Sequence, residues 1–252
     1  MKKYTLNKYL LKIVGIVLFV CLWQILALII SEETFILPGP IKTIKEAIGM
    51  LNDSYIYKCL WQTLFRMFIG FSLSFVFAFI IGVIAGNNEN IEEIFKPTMT
   101  ILRSVPTATL VYLFLVAVGA RLTPVFIVFL ISFPILYESV LGGIKSTPSE
   151  LLEACKIDAS SLISTNIKVR IPLAIPYIAV GIASSFALSL KIEIMAEVIT
   201  GYTRLGLGSA ILAAQRSDPT NMVPVFAYSF VVIVIMLLFD LVSHIIVNEI
   251  SK

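Results

Sequence analysis

The chain has 252 residues, of which 58% are hydrophobic and only 14% charged, with a net charge of +3 and a mean hydropathy of +0.97. Soluble domains carry about a quarter charged residues, so this composition excludes an ordinary soluble domain and points to lipid as the solvent. The small net charge, with no basic stripe interleaved with aromatics, excludes a nucleic-acid partner. The scattered Cys21, Cys59 and Cys155 make neither a metal nor a redox spacing.

The first apolar run, Ile13–Ile30, follows Lys2, Lys3, Lys8 and Lys12. It is too long for the core of a signal peptide, and no small-x-small cleavage site follows it. It reads as an uncleaved span whose start the lysines hold in the cytoplasm. After it comes "FILPGPIKTIKEAIGML", in which LPGP ends one element. Ile41, Ile44, Ala47, Ile48 and Leu51 then recur at helical spacing, with Lys42, Lys45 and Glu46 on the other side. That pattern predicts an amphipathic helix at the outer interface. Residues 1–62 thus read as an N-terminal span with an external helix, and residues 63–250 as a core carrying the other spans.

Those spans are expected at Met67–Gly86, Ile101–Val118, Pro124–Ile144, Ile171–Leu190 and Met222–Val247. Each is close to the roughly 20 residues a helix needs to cross the hydrocarbon core. The sum is an all-α integral membrane protein with six transmembrane helices and both termini in the cytoplasm. A modest excess of Lys and Arg on the cytoplasmic side agrees. Gly82 and Gly86 stand four apart on one face, the small-xxx-small spacing of close helix packing or of a dimer seam. Pro106 and Arg103 lie near the start of the third span. A proline there frees backbone groups that neighbours or water must satisfy. Arg103 either faces a pathway or snorkels to the interface.

The segment 147–172 is the long polar interruption of the second half. Thr147 suits an N-cap, Pro148 the first helical position, and Glu150 completes a capping box. Leu151, Ala154, Cys155 and Ile157 offer apolar contacts, while Glu150, Glu153 and Lys156 stay polar. A second short helix is expected from Ser160 or Ser161 toward Ile171 and Pro172. By span count this pair faces the cytoplasm.

Lys191, Glu193 and Glu197 cluster where the fifth span ends. Charges at bilayer depth are functional candidates. Lys191 could attract an oxyanion from a pathway, or the three could form a structural ion pair near the outer surface. Asp240 and His244, four apart near the end of the last span, read as a proton relay or as a solvated pair near the cytoplasmic end. There is no metal-ligand set, no nucleophile–base pair and no G-x-x-x-x-G-K-[ST]. The chain therefore reads as a transport component, not an enzyme. Uphill movement would need an ion gradient or a partner that hydrolyses ATP. An ion-coupled secondary transporter would want mid-span acids and an internal repeat. Only Glu138 lies well inside a drawn span, and the halves show no repeat.

The polar segment matches a longer pattern. Glu153-Ala154-Cys155, three residues, Ala159, nine residues and Val169-Arg170-Ile171-Pro172 have the spacing of E-A-A, Gly and I-x-L-P. This resembles the EAA loop of ABC-importer permeases. "ILPGPIKTI", "TLFRMFIGFSLSFVFAFIIGVIAG", "ILRSVPTATLVYLFLVAVG" and "IMAEVITGYTRLGLGSAI" are similar, in order, to segments of permeases of the nitrate, sulfonate and taurine type. In the last, Ala196-Glu197 precedes Gly206-Leu207-Gly208. The departures in the loop are Cys155 for Ala, Ala159 for Gly, Val169 for Ile and Ile171 for Leu. Alanine at 159 fits only a turn that does not need a positive φ.

The resemblance implies a type I ABC importer (MetI-like) permease fold in a bacterial cytoplasmic membrane. It implies a homodimer that forms the pathway for a sulfonate, taurine, nitrate or similar small polar solute, with a thiamine pyrimidine precursor as the alternative. Two copies of a separate ATPase would carry ATP and Mg, and a substrate-binding protein or lipoprotein would deliver the solute. No cofactor is expected on this chain. The coupling helix docked by the ATPase would use Glu150, Glu153, Ala154, Cys155, Ala159, Ile171 and Pro172.

Overall fold

The computed structural model describes residues 2–31, 37–201 and 205–250; the side chains of Lys2, Lys3, Lys8, Lys12 and His244 lie outside the described ones. Among the described residues every regular element is helical. The order is α1 (Lys2–Ser31), α2 (Pro40–Met50), α3 (Ser54–Asn87), α4 (Glu89–Ser104), α5 (Thr107–Val118), α6 (Thr123–Lys145), α7 (Ser149–Ile157), α8 (Leu162–Thr165), a π-helical segment (Asn166–Arg170), α9 (Ile171–Thr200), α10 (Leu207–Ser217) and α11 (Val223–Ile250). Two compact units arise, one from Met1–Lys58 with Ala210–Val234 and the other from Cys59–Ser209 with Ile235–Lys252.

Among the described residues five stretches are long and apolar enough to cross a membrane: Ile13–Ile30, Ser54–Asn87, Thr123–Lys145, Leu162–Thr200 and Val223–Ser243. The first has the bounds expected from sequence. The second starts well before Met67. No Gly or Pro interrupts residues 54–69, and the Asp53 carboxylate accepts the Tyr55 N–H at 2.9 Å to start the helix. The expected single span Ile101–Val118 is corrected to a broken pair. α4 and α5 meet at 98°, and they make a sixth span only if counted together. Val105 (ψ 127°) and Pro106 (ψ 129°) are both extended at the break. The proline ring disfavours helical backbone at the residue before it, which is why α4 ends there.

In the first unit, α1 and α2 are tied at the LPGP turn. The Trp23 indole donates to the Pro38 carbonyl at 3.1 Å and stacks on Phe226 at 6.4 Å between centroids. Pro40, Thr43 and Ala47 are the buried side of α2. Ile41 and Ile48, from the expected apolar stripe, remain 77% and 60% exposed, a surface suited to lipid.

The second unit is built round α6, where Ile127, Val128, Leu136, Tyr137, Val140 and Ile144 are all buried. Lipid tails are as apolar as these side chains, so close van der Waals fit rather than water exclusion holds the helices together. Small residues make that fit possible. A Cβ on Gly82 would stand 2.9 Å from the Val140 Cβ, and one on Gly86 would stand 2.5 Å from the Ile144 Cγ2. Gly82 and Gly86 therefore face α6 of the same chain. On the other side of α6, Gly143 meets Ala174 of α9, and Ser132 and Ser189 share a 2.7 Å hydrogen bond.

Candidate functional site

The polar segment folds as a short exposed helix, α7, joined to α9 by α8 and the π-helical segment. No residue of α7 is buried. Glu150, Glu153 and Ala154 are exposed, and Cys155 is half-buried. Apolar side chains are exposed along with them: Leu151 at 43%, Ile157 at 85%, Leu162 at 62%, Ile163 at 71% and Ile167 at 62%. In a connection rich in Glu, Lys and Ser, these side chains leave apolar surface exposed.

The expected capping box does not form. α7 begins at Ser149 with Pro148 as its N-cap and no side-chain cap. Thr147 is buried, and its hydroxyl donates to the Ile144 carbonyl at 3.1 Å, closing α6 instead. Glu150 still lies in the first turn of α7, where a carboxylate suits the positive end of the helix.

The turn after α7 also corrects the expectation. Ala159 has a φ of 50°, and it is the only non-glycine with positive φ among the described residues. The Ser160 N–H bonds the Cys155 carbonyl at 3.0 Å, while the Ala159 N–H bonds the Lys156 carbonyl at 3.1 Å. This is a left-handed helix stop of the kind glycine usually fills. Ala159 is exposed, so its Cβ has room, and the penalty is in the backbone alone. Ser161 then starts α8 by accepting the Ser164 N–H at 3.2 Å.

At the head of α9, Ile171 is half-buried and Pro172 exposed. Arg170 Nη1 donates to the Gly86 carbonyl at 3.1 Å and to Asn87 Oδ1 at 2.8 Å, both at the end of α3. Nearby, Lys145 at the end of α6 pairs with Glu92 of α4 at 2.7 Å.

The far end of α9 holds a buried charge cluster. Glu193 and Glu197 have no exposed side-chain surface, and Arg66 of α3 is 14% exposed. Arg66 Nε donates to Glu193 Oε1 at 3.2 Å, and its Nη2 donates to Glu197 Oε1 and, at 2.9 Å, to the Leu205 carbonyl. Glu197 also accepts from Thr63 Oγ1 at 2.9 Å and from the Gly208 N–H at 2.8 Å. The Thr63 oxygen in turn accepts the Leu207 N–H at 2.9 Å. A buried charge is tolerable only when paired and hydrogen-bonded. Here one forked guanidinium serves both acids and a backbone carbonyl.

A family model described as "Binding-protein-dependent transport system inner membrane component" matches residues 78–252. The chain belongs to this family. It is a permease subunit of an ABC importer. The permease is 23% identical over 205 residues to a putative aliphatic sulfonates transport permease protein, SsuC, of Bacillus subtilis (strain 168), covering 81% of this chain and 74% of that one. It is 27% identical over 226 residues to the bicarbonate transport system permease protein CmpB of Synechococcus elongatus, covering 84% and 80%. In fold it is similar to a chain of the MetNI methionine ABC transporter in an inward-facing conformation. The TM-score is 0.67 and the identity 17%, over 79% of this chain and 97% of that one.

In the permease sequence Lys191 stands beside Glu193 and Glu197. Lys191 is exposed, and the cation in the cluster is Arg66. On a helix, residues two and six positions away lie on different faces from the lysine, so adjacency in sequence misled. Arg66, 127 positions before Glu193, is not among the residues the sequence pattern singles out. The signal that finds it is physical: two buried acids one turn apart demand a cation, and Arg66 sits in a stretch otherwise poor in charge. Arg103 is engaged too. Its Nη1 pairs with Glu138 at 2.7 Å and its Nη2 donates to the Pro134 carbonyl at 3.1 Å, with both charged side chains about half exposed.

Gly206 and Gly208 follow from the same cluster. A Cβ on Gly206 would stand 2.6 Å from Arg66 Nη2 and from both Glu197 carboxylate oxygens; one on Gly208 would stand 2.7 Å from the Glu197 Cβ. The Gly-Leu-Gly motif lets the backbone lie against the carboxylate.

Proposed function

We propose that two copies of the permease form the membrane pathway of an ATP-driven importer, and that α7 is the helix a separate ATPase grips. The observation that carries this reading is the exposed cluster of Leu151, Ile157, Leu162, Ile163 and Ile167 around Glu150 and Glu153. It sits on a polar excursion that connects α6 to α9, so force applied there reaches two packed spanning helices. The EAA-like spacing of Glu153, Ala154, Cys155, Ala159, Ile171 and Pro172 supports it. In this reading α7 and both termini face the cytoplasm, ATP and Mg are held by the ATPase, and a binding protein delivers solute to the opposite face.

The solute is a small polar molecule, and an oxyanion or sulfonate fits the relatives named for aliphatic sulfonates and bicarbonate. An ion-coupled secondary transporter is disfavoured because each buried acid is already paired with Arg66, through Glu193 Oε1 and Glu197 Oε1.

The test is uptake into liposomes, with taurine, nitrate and bicarbonate offered in parallel. The permease with its ATPase, its binding protein and enclosed ATP should accumulate one of them. Accumulation of a solute by the permease alone, without ATP, contradicts the reading.

A further inference from the structure

Helices α3 and α9 are fastened to each other at both ends. Arg170, just before α9, binds the Gly86 carbonyl and Asn87 at the end of α3. Arg66, in the first half of α3, binds Glu193 and Glu197 near the end of α9. The two helices therefore run antiparallel. At a rise of 1.5 Å per residue the fastenings lie roughly 30–40 Å apart, comparable to the hydrocarbon thickness of a bilayer. Between them the contact is aromatic: Phe68 and Phe71 of α3 meet the Phe186 ring edge-on, at 6.0 and 5.2 Å between centroids.

The outer fastening also holds a loop. The Leu205 carbonyl is bound by Arg66, the Leu207 N–H by Thr63 and the Gly208 N–H by Glu197. Three backbone groups of Leu205–Gly208 are thus fixed to side chains of α3 and α9. At the other end, the apolar stretch Leu162–Thr200 joins α8, the π-helical segment and α9 into one continuous helical run. Arg170 sits where that run passes α3.

We propose that Arg170 and Arg66 are positioning residues that make α3 and α9 one rigid lever, so that displacement of α7 is delivered across the membrane to Leu205–Gly208. This rests on the reading of α7 as the ATPase-gripped helix. Arg170 holds the near end. Its guanidinium takes up carbonyl capacity left free at the end of α3, where a cation also suits the helix dipole. Arg66 holds the far end and the loop together. Without Arg170, α9 can shift past α3 and the far loop no longer follows α7.

The test uses the permease assembled with its ATPase in lipid nanodiscs. The native thiols are removed as Cys21→Ser, Cys59→Ala and Cys155→Ala, and Leu205→Cys is the reporter. Its labelling rate by a membrane-impermeant maleimide is measured with and without ATP and vanadate. In the parent, nucleotide should change the rate by about fivefold or more, the scale of ordinary coupling between sites. In Arg170→Met the change should fall below about twofold, with Arg170→Lys recovering part of it. Asn87→Ala removes a side-chain acceptor while leaving α9 untouched, and it should lower the response in the same direction; it carries the test if Arg170→Met fails to insert. A full response in both Asn87→Ala and an inserted Arg170→Met overturns the lever and leaves the coupling reading standing. A parent that shows no nucleotide response overturns both.

Discussion

Arg66 and Glu197 stand 131 positions apart in sequence and share a hydrogen bond in a site where the glutamate has no exposed surface. Around that bond one helix, a second helix and a glycine-bracketed loop are brought to a single point. The pair accounts for Gly206 and marks one end of the α3–α9 contact, while Gly208 lies against the Ile194 carbonyl and the Glu197 Cβ.

Removing the cation should be costly. Arg66→Met leaves Glu193 and Glu197 buried four residues apart with no counter-charge. Breaking a buried pair from one side costs about 3–5 kcal/mol. The permease should lose a large part of its thermal stability in detergent, read by scanning fluorimetry. Arg66→Lys should recover little of it, because an ammonium lacks the fork that spans both carboxylates and the Leu205 carbonyl.

The loop can be attacked without touching a charge. Gly206→Ala places a methyl 2.6 Å from Arg66 Nη2 and the Glu197 oxygens. Overpacking of this kind costs about 1–3 kcal/mol. A Cys reporter at 205 should then react faster with maleimide, and the thermal midpoint should fall. Gly49→Ala, where nothing lies within 4 Å, is the control and should change neither.

The turn after α7 offers a stabilising change. Ala159 holds a φ of 50°, a conformation that costs an L-residue roughly 1–2 kcal/mol relative to right-handed backbone. Glycine removes that penalty but adds freedom to the unfolded chain, which returns about 0.4–1 kcal/mol of it. Ala159→Gly should therefore raise stability slightly, and Ala159→Val should lower it. The thermal midpoints of the three proteins, compared under one detergent, check the order.

Close packing against α6 should be equally strict. A Cβ on Gly86 would stand 2.5 Å from the Ile144 side chain. Gly86→Leu should push α3 from α6 and reduce the yield of folded protein on size-exclusion chromatography. Gly142→Ala, a position with open space, should leave the yield unchanged.

What the residues announced in advance depended on how local the signal was. The first span, Ile13–Ile30, is a charge-free run and its bounds follow directly. The loop from Glu153 to Pro172 is a spacing pattern within one stretch, and its helical character, as α7 and α8, is local enough to expect. Thr147 shows where local reasoning fails. A hydroxyl before Pro148 has two helix ends within reach, and it closed α6 rather than opening α7. Pro106 signalled a disturbance but not its size, since a single proline is compatible with a kink or with the 98° break between α4 and α5. The Arg66 cluster was least legible. Its members are 127 and 131 positions apart, and no periodicity links them. Only the cost of burying two carboxylates requires that a cation be found somewhere.

In the proposed function α7 couples this permease to a separate ATPase. That coupling is tested most directly by Glu153→Lys in the coexpressed complex, reading copurified ATPase and solute-stimulated ATP hydrolysis against membrane insertion. Glu153 is exposed, so the change should not disturb folding. Normal insertion with loss of the copurified ATPase or of stimulated hydrolysis is the expected result. Full copurification with full stimulated hydrolysis in the Glu153→Lys protein would contradict the coupling.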